Sequence, residues 1–200
     1  MGSFTVVFAE QELDLMRRVR RLAGPHIEAI APVTSVPAAF LAALTANESG
    51  AWLIRNTVIP PRFEPAVYRA LQAVRDGVRE HYGQVTRKML LGCLDVDLSR
   101  YGSSWGLTQI MGWHALRWGA DLSKLNRAER HYIFTVRLLV ENASDFGLDL
   151  TRDFEEMARV WNTGRPADDP RTERIEGKTH DPEYVPNLLR RMEIWRGTNS

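Results

Sequence analysis

Residues 35–50 read SVPAAFLAALTANESG and form the most strongly patterned stretch of the chain. Ser35 can cap a helix, and Pro37 can pre-set its first turn. Apolar side chains then recur at helical spacing, at Phe40, Leu41 and Leu44. The pattern predicts a helix with an apolar stripe that ends before a loop at about 50–63.

The same helical spacing returns in other parts of the chain, whereas the alternation that is typical of strands is nearly absent. Five further helices are predicted: one over about 10–23, one starting at Pro65 with apolar residues at helical spacing as far as Tyr82, one carrying Tyr132 to Ala143, one from Phe154 to about Gly164, and one after Asp181-Pro182. Residues 165–181 are rich in Pro, Asp, Arg and Thr without a period, which predicts a mobile surface loop. The sequence therefore predicts a mainly α fold in a single domain over residues 1–200.

Composition excludes several classes of protein. The 200 residues include 26 Lys plus Arg and 25 Asp plus Glu, for a formal net charge of +1. This balance lacks the basic signature of nucleic-acid binding, so no nucleic-acid partner is expected. The longest apolar run, about Ala38 to Leu44, is too short to cross a bilayer, and no membrane insertion is expected. The N-terminus carries no recognisable signal peptide.

Cysteine and histidine positions give no support for a metal centre. Cys93 is the only cysteine, so no intrachain disulfide can form. His81 and His114 do not combine with it in any metal-ligand spacing, and no His-Glu-x-x-His motif occurs. No metal is expected from these positions.

Glu48 continues the apolar stripe of the predicted helix, four residues after Leu44 and eight after Phe40. The negative end of the helix dipole and apolar neighbours both disfavour an ionised carboxylate there. The position therefore predicts a raised pKa, which suits a general acid. The alternative is a solvated glutamate at a frayed helix end.

Residues 102–113 read GSSWGLTQIMGW, with three glycines that permit close approach of a ligand to the backbone. Gln109 lies among apolar residues, and its amide could bind the acetamido or hydroxyl groups of a sugar. The alternative is a buried turn and helix in which Gln109 bonds to the backbone. A third segment, 161–164, reads WNTG; here Asn162 before Gly164 is also typical of an ordinary helix end.

In this order, the segments resemble the motifs of the lytic transglycosylase and goose-type lysozyme superfamily. Glu-Ser-Gly at 48–50 is similar to its catalytic Glu-Ser. GLTQIM at 106–111 resembles Gly-Leu-Met-Gln-Ile/Leu-Met, with Thr in place of Met. WNTG at 161–164 is similar to Tyr-Asn-Ala/Gly-Gly, and Tyr-Val at 184–185 matches a late Tyr-Val. The motifs span most of the chain, about 36–196.

The spacing departs from typical cell-wall transglycosylases, because 61 positions (109 − 48) separate Glu48 and Gln109. The inserted RFEPAVY at 62–68 and the SWG at 104–106 resemble a phage and prophage branch of muramidases and transglycosylases. This resemblance implies a phage-encoded protein that is made in the host cytoplasm and acts on the bacterial cell wall.

The resemblance implies a lysozyme-like domain with a substrate groove. It would be a monomer that cleaves the β-1,4 bond between N-acetylmuramic acid and N-acetylglucosamine in peptidoglycan glycan strands. Glu48 would be the general acid, and the product would be a 1,6-anhydro sugar or a hydrolysed end. Neither a metal nor an organic cofactor would be needed. The implied substrate-binding residues are Ser49, Gln109, Ile110, Met111, Asn162 and Tyr184.

Hydrolysis usually requires a second carboxylate, and Glu64 is the candidate. Its position before Pro65 is equally typical of a contact with the helix dipole without a chemical role. A different class of function is also open, a non-catalytic peptidoglycan-binding or virion structural module with a lysozyme-like fold.

Overall fold

The computed structural model describes residues 2–51, 60–167 and 181–197, with side chains from residue 10 onward. The described helices are α1 (Gly2–Ile30), α2 (Ala38–Glu48), α3 (Pro65–Arg75), α4 (Asp95–Tyr101), α5 (Trp113–Arg117), α6 (Ala128–Phe146), α7 (Phe154–Thr163) and α8 (Tyr184–Gly197). Short strands are β1 (Arg62–Phe63), β2 (His81–Tyr82), β3 (Val85–Thr86), β4 (Ser103–Trp105) and β5 (Ile110–Met111). The predicted mainly α class is confirmed.

The chain divides into two compact units, with the boundary inside α6. The first unit contains the described residues up to Ala51 and those from Tyr132 onward. The second unit contains the described residues from 60 to His131. The single domain over 1–200 and its lysozyme-like groove stay predictions.

In the first unit, α2 is the central element and packs against α1 and α8. Every residue from Ala39 to Ala46 is buried, so α2 is enclosed on all sides and does not present a single stripe. Its one polar side chain there, Thr45, donates to the carbonyl of Leu41 and shares a 2.8 Å hydrogen bond with the Tyr132 hydroxyl. These bonds satisfy the buried hydroxyl groups.

The ends of two helices differ from the predictions. Pro37 is the N-cap of α2 and no side chain caps it, so the predicted cap at Ser35 is wrong. The helix that starts at Pro65 was predicted to continue to Tyr82, but α3 ends at Arg75. The backbone leaves the helix at Gly77, which has a φ of +79°, a conformation that glycine adopts without strain.

The second unit contains structure that the periodicity did not predict. Strands β1, β4 and β5 form an antiparallel sheet in the order β1-β4-β5, and β2 pairs with β3. Each strand has only two or three residues, too few for an alternation to be recognised. A hydrophobic cluster in the same unit is formed by Leu71, Val74, Val85, Leu90 and Leu98.

Parts of both predicted loops fall outside the described residues, namely 52–59 of the first and 168–180 of the second. None of the described helices is both long enough and apolar enough to traverse a bilayer.

Candidate functional site

Glu48 is the last residue of α2, and its carboxylate is bound by Tyr184, the first residue of α8. The Tyr184 hydroxyl donates to Oε1 of Glu48 over 2.5 Å. The two residues are 136 positions apart in the chain, and both belong to the first unit. The packing of α8 on α2 thus joins two of the residues that the sequence motifs predict to act together.

Tyr184 is suited to remain a hydrogen-bond donor. Its side chain is buried, with 9% of the residue exposed. Burial raises the pKa of Tyr184 well above its ordinary value, and the negative charge of Glu48 and the hydrogen bond to it act in the same direction. The phenol therefore keeps its proton and favours the ionised form of the carboxylate that it contacts. The raised pKa of Glu48 inferred from its helix position stays a prediction.

Three further polar residues, Asn47, Arg191 and Glu12, are connected to Tyr184 by hydrogen bonds, and they were not predicted from the sequence. The Asn47 amide Nδ2 donates to the backbone carbonyl of Tyr184 over 2.8 Å. Arg191 donates from Nη1 to Oδ1 of Asn47 over 2.5 Å. The same guanidinium binds both carboxylate oxygens of Glu12, each over 2.9 Å.

Two signals in the sequence could have indicated these residues. Asn47 immediately precedes Glu48. Arg191 follows Tyr184 by seven positions, two turns along one helix face. The hydrogen bonds from Arg191 are the main cause that lowers the pKa of Glu12. Glu12 therefore stays ionised, as a partner of a guanidinium must.

Ser49 closes the end of α2 beside Glu48. Its hydroxyl donates to the carbonyl of Thr45 over 3.2 Å and accepts from the backbone N–H of Ala51 over 3.3 Å. Gly50 and Ala51 then have φ values of +59° and +51°. A positive φ is uncommon for alanine, so this sharp exit from the helix is a strained segment directly after Glu48. The role of Ser49 in binding substrate stays a prediction.

Asn162 lies in the last turn of α7, half-buried, in the same unit as Glu48. Gly164 follows as the C-cap with a φ of +81°, which confirms the predicted helix end. Residues 161–164 therefore end the helix as the alternative interpretation expects. The role of Asn162 in binding substrate stays a prediction.

Gln109 lies in the second unit, in the turn that joins β4 to β5, with a φ of +55°. Its Oε1 accepts from the hydroxyl of Ser104 over 2.7 Å, and its Nε2 donates to the carbonyl of Gly106 over 2.9 Å. The predicted alternative was a buried turn and helix in which Gln109 bonds to the backbone. The turn and the backbone bond are present, but the turn joins two strands of a hairpin. The two bonds together use one donor and the acceptor oxygen of the Gln109 amide. Ile110 and Met111 form β5; Ile110 is buried and Met111 is half-buried.

The turn that contains Gln109 is hydrogen-bonded to His131, a residue that was not predicted from the sequence. Nδ1 of His131 lies 2.8 Å from the carbonyl of Leu125, which can only accept, so Nδ1 carries the proton. Nε2 then accepts the backbone N–H of Thr108 over 2.9 Å. Gly106 has a φ of +73°, and a Cβ there would lie 2.2 Å from Nδ1 of His131. Only glycine fits this position.

Glu64 also lies in the second unit, as the N-cap residue of α3, without a side-chain capping bond. Its Oε1 accepts from Nε of Arg62 over 2.8 Å, and its backbone N–H donates to the carbonyl of Gly102. The carboxylate is half-buried and ion-paired. Its role as a second catalytic carboxylate stays a prediction.

The predicted site residues therefore fall into two sets, each within one unit. Glu48, Ser49, Asn162 and Tyr184 belong to the first unit; Glu64, Gln109, Ile110 and Met111 belong to the second. Within the described part of the chain, no cluster of three or more His, Cys, Asp or Glu could hold a metal ion. No protein-family model matches the chain, and comparisons with curated proteins and with solved structures find no match.

Proposed function

We propose that the protein cleaves peptidoglycan glycan strands at the β-1,4 bond between N-acetylmuramic acid and N-acetylglucosamine, with Glu48 as the general acid. The observation that carries the proposal is the 2.5 Å hydrogen bond from Tyr184 to Glu48. Glu48 ends a buried helix, and the phenol beside it keeps its proton, so Tyr184 can stabilise the carboxylate that Glu48 becomes when it gives up its proton. The ordered resemblance of the motifs supplies the substrate class.

In the proposed reaction, Glu48 transfers its proton to the glycosidic oxygen while the bond from that oxygen to the muramoyl C1 breaks. The sugar ring acquires oxocarbenium character, and the acid becomes a carboxylate. Because Tyr184 remains a donor to Oε1, it stabilises the negative charge that forms on Glu48 at this step. Ser49 and Asn162, with Gln109 and β5, are proposed to bind the sugar substituents.

After this proton transfer, the reaction can be completed in either of two ways. In lytic transglycosylation, the muramoyl 6-hydroxyl attacks C1 and returns its proton to Glu48, which leaves a 1,6-anhydro end. In hydrolysis, a water attacks, and Glu64 would accept its proton. Mass spectrometry of the products decides, since the anhydro product is lighter than the hydrolysed one by one water.

A turbidity assay on purified cell walls tests the role of Glu48. We expect the native protein to clear the suspension and Glu48→Gln to bind walls without clearing them. Glu193→Gln is the matched control, because it removes an exposed carboxylate on α8 in the same unit. Equal clearing by native protein and Glu48→Gln would remove Glu48 from the mechanism. Binding without clearing by both proteins would establish the alternative, a non-catalytic wall-binding or virion module.

A further inference from the structure

A series of hydrogen-bonded residues in the first unit ends at the proposed acid. It runs from Glu12 on α1 to Arg191 on α8, then to Asn47 on α2, to the backbone of Tyr184, and from its hydroxyl to Glu48. The proposed reaction assigns no role to Glu12, Arg191 or Asn47. Through these hydrogen bonds they can nevertheless control how Tyr184 is oriented relative to Glu48.

The ion pair between Arg191 and Glu12 is largely buried, unlike an ordinary surface ion pair. Its side chain is 12% exposed, and that of Glu12 is 18% exposed. The guanidinium uses Nε and Nη2 for Glu12 and Nη1 for Asn47, so a single planar group serves both partners. Helical side chains lean toward the N-terminus of their helix, and this brings Arg191 back toward Tyr184 at the start of α8.

Arg191 also determines how the Asn47 amide is oriented. A guanidinium only donates, so Oδ1 of Asn47 must face it. Nδ2 of Asn47 is then directed at the carbonyl of Tyr184, which only accepts. Without Arg191 the amide could rotate and lose its bond to Tyr184.

Tyr184 is thereby held at two points, its carbonyl by Asn47 and its hydroxyl by Glu48. The first contact fixes the start of α8 against the last turn of α2, where Asn47 and Glu48 are neighbours. A shift of this helix start would change the geometry of the phenol relative to the carboxylate.

We infer that Arg191, anchored by Glu12 and acting through Asn47, is a positioning residue that aligns Tyr184 on the general acid Glu48. The functional part of this inference rests on the proposed glycan cleavage. The structural part, that Arg191 sets the Tyr184–Glu48 hydrogen bond, stands independently of any activity.

Arg191→Lys is the informative substitution, because it keeps the positive charge and loses the planar fork. With peptidoglycan fragments as substrate, we expect kcat to fall about tenfold to a hundredfold, since small misalignments of reacting groups have effects of that order. KM should change less than about twofold, because no contact with substrate is removed. Rates are compared per folded protein, as measured by circular dichroism.

The pH profile separates positioning from a purely structural role. The proposed acid is active when protonated, so activity falls as pH rises through its titration. The Tyr184 donor favours the ionised carboxylate, so weakening that bond should move the alkaline limb of the profile to higher pH. Asn47→Leu should have the same effect, because it removes the donor to the Tyr184 carbonyl without adding a charge beside Glu48. Arg17→Ala, which removes an exposed ion pair on α1, should change neither kcat nor the profile.

A double-mutant cycle tests the route through Tyr184. In a Tyr184→Phe background, Arg191→Lys should cause little further loss of kcat, because the hydrogen bond that it supports is already absent. Full additivity of the two losses would overturn the inference.

A crystal structure of Arg191→Lys gives a readout that needs no activity. We expect the distance from the Tyr184 hydroxyl to Oε1 of Glu48 to lengthen beyond 3.5 Å or the phenol to occupy alternative positions. An unchanged distance of 2.5 Å would refute the positioning role, even if the protein clears cell walls. Conversely, failure of the native protein to cleave walls would refute the proposed function while the crystal structure still decided the role of Arg191.

Discussion

Acidification from pH 7 to pH 5 should destabilise the protein through His131. The ring is 1% exposed, and both of its nitrogens are bonded in the neutral form. Protonation would make Nε2 a donor, so it could no longer accept the N–H of Thr108, and the Thr108 hydroxyl 2.8 Å away would have to accept its proton. Burial, partly opposed by the bond to Leu125, lowers the pKa of His131 to about 4.

The size of the effect follows from the difference between the folded and unfolded pKa values. The folded value, about 4, lies below the ordinary value of 6.5, so the unfolded chain binds the proton first. The stabilising contribution is complete above about pH 6.5 and is lost as pH falls toward 4. One pKa unit corresponds to about 1.4 kcal/mol, so the whole contribution is about 3 kcal/mol. About 2 kcal/mol of it is lost between pH 7 and pH 5.

Urea unfolding at both pH values measures this loss. We expect the free energy of unfolding of the native protein to fall by about 2 kcal/mol more than that of His131→Gln. His114, whose pKa burial lowers to about 3, is present in both proteins and its effect cancels in the comparison. His81→Gln removes an exposed histidine of the same unit and should behave as the native protein. If native protein and His131→Gln lose the same free energy, the assigned neutral form of His131 is wrong.

Three further substitutions test other parts of the structure. Gly106→Ala should lower the free energy of unfolding by about 3 kcal/mol, because it combines a positive φ with a clash against His131. Gly164→Ala, with a similar φ and nothing within 4 Å of the added Cβ, should lower it by only about 1 kcal/mol; equal losses in urea titrations would contradict the clash. Tyr184→Phe should reduce wall-clearing kcat about tenfold and move its alkaline limb to higher pH, because Glu48 loses a donor. An unchanged pH profile would show that this hydrogen bond does not influence the acid.

The helical class of the fold could be predicted from the sequence because helices leave a local periodicity. The apolar residues of 38–46 and the glycine after α7 were sufficient to place α2 and the end of α7. The same periodicity could not show that α2 is enclosed on all sides, since that depends on α1 and α8 packing around it. The hairpin at 103–111 was missed because strands of two or three residues have no detectable period.

For the site, the sequence by itself determined which residue types are present and their order. A glutamate at a helix end, a glutamine in a glycine-framed segment and a late tyrosine were all recognisable from their neighbours in the chain. Only the tertiary structure decided that Tyr184 donates to Glu48, that Arg191 orients Asn47, and that His131 occupies the space beside Gly106. Each of these contacts requires an approach within a few ångströms between residues distant in sequence. Local backbone preference does not encode that approach; it results from the way whole helices and turns pack against one another.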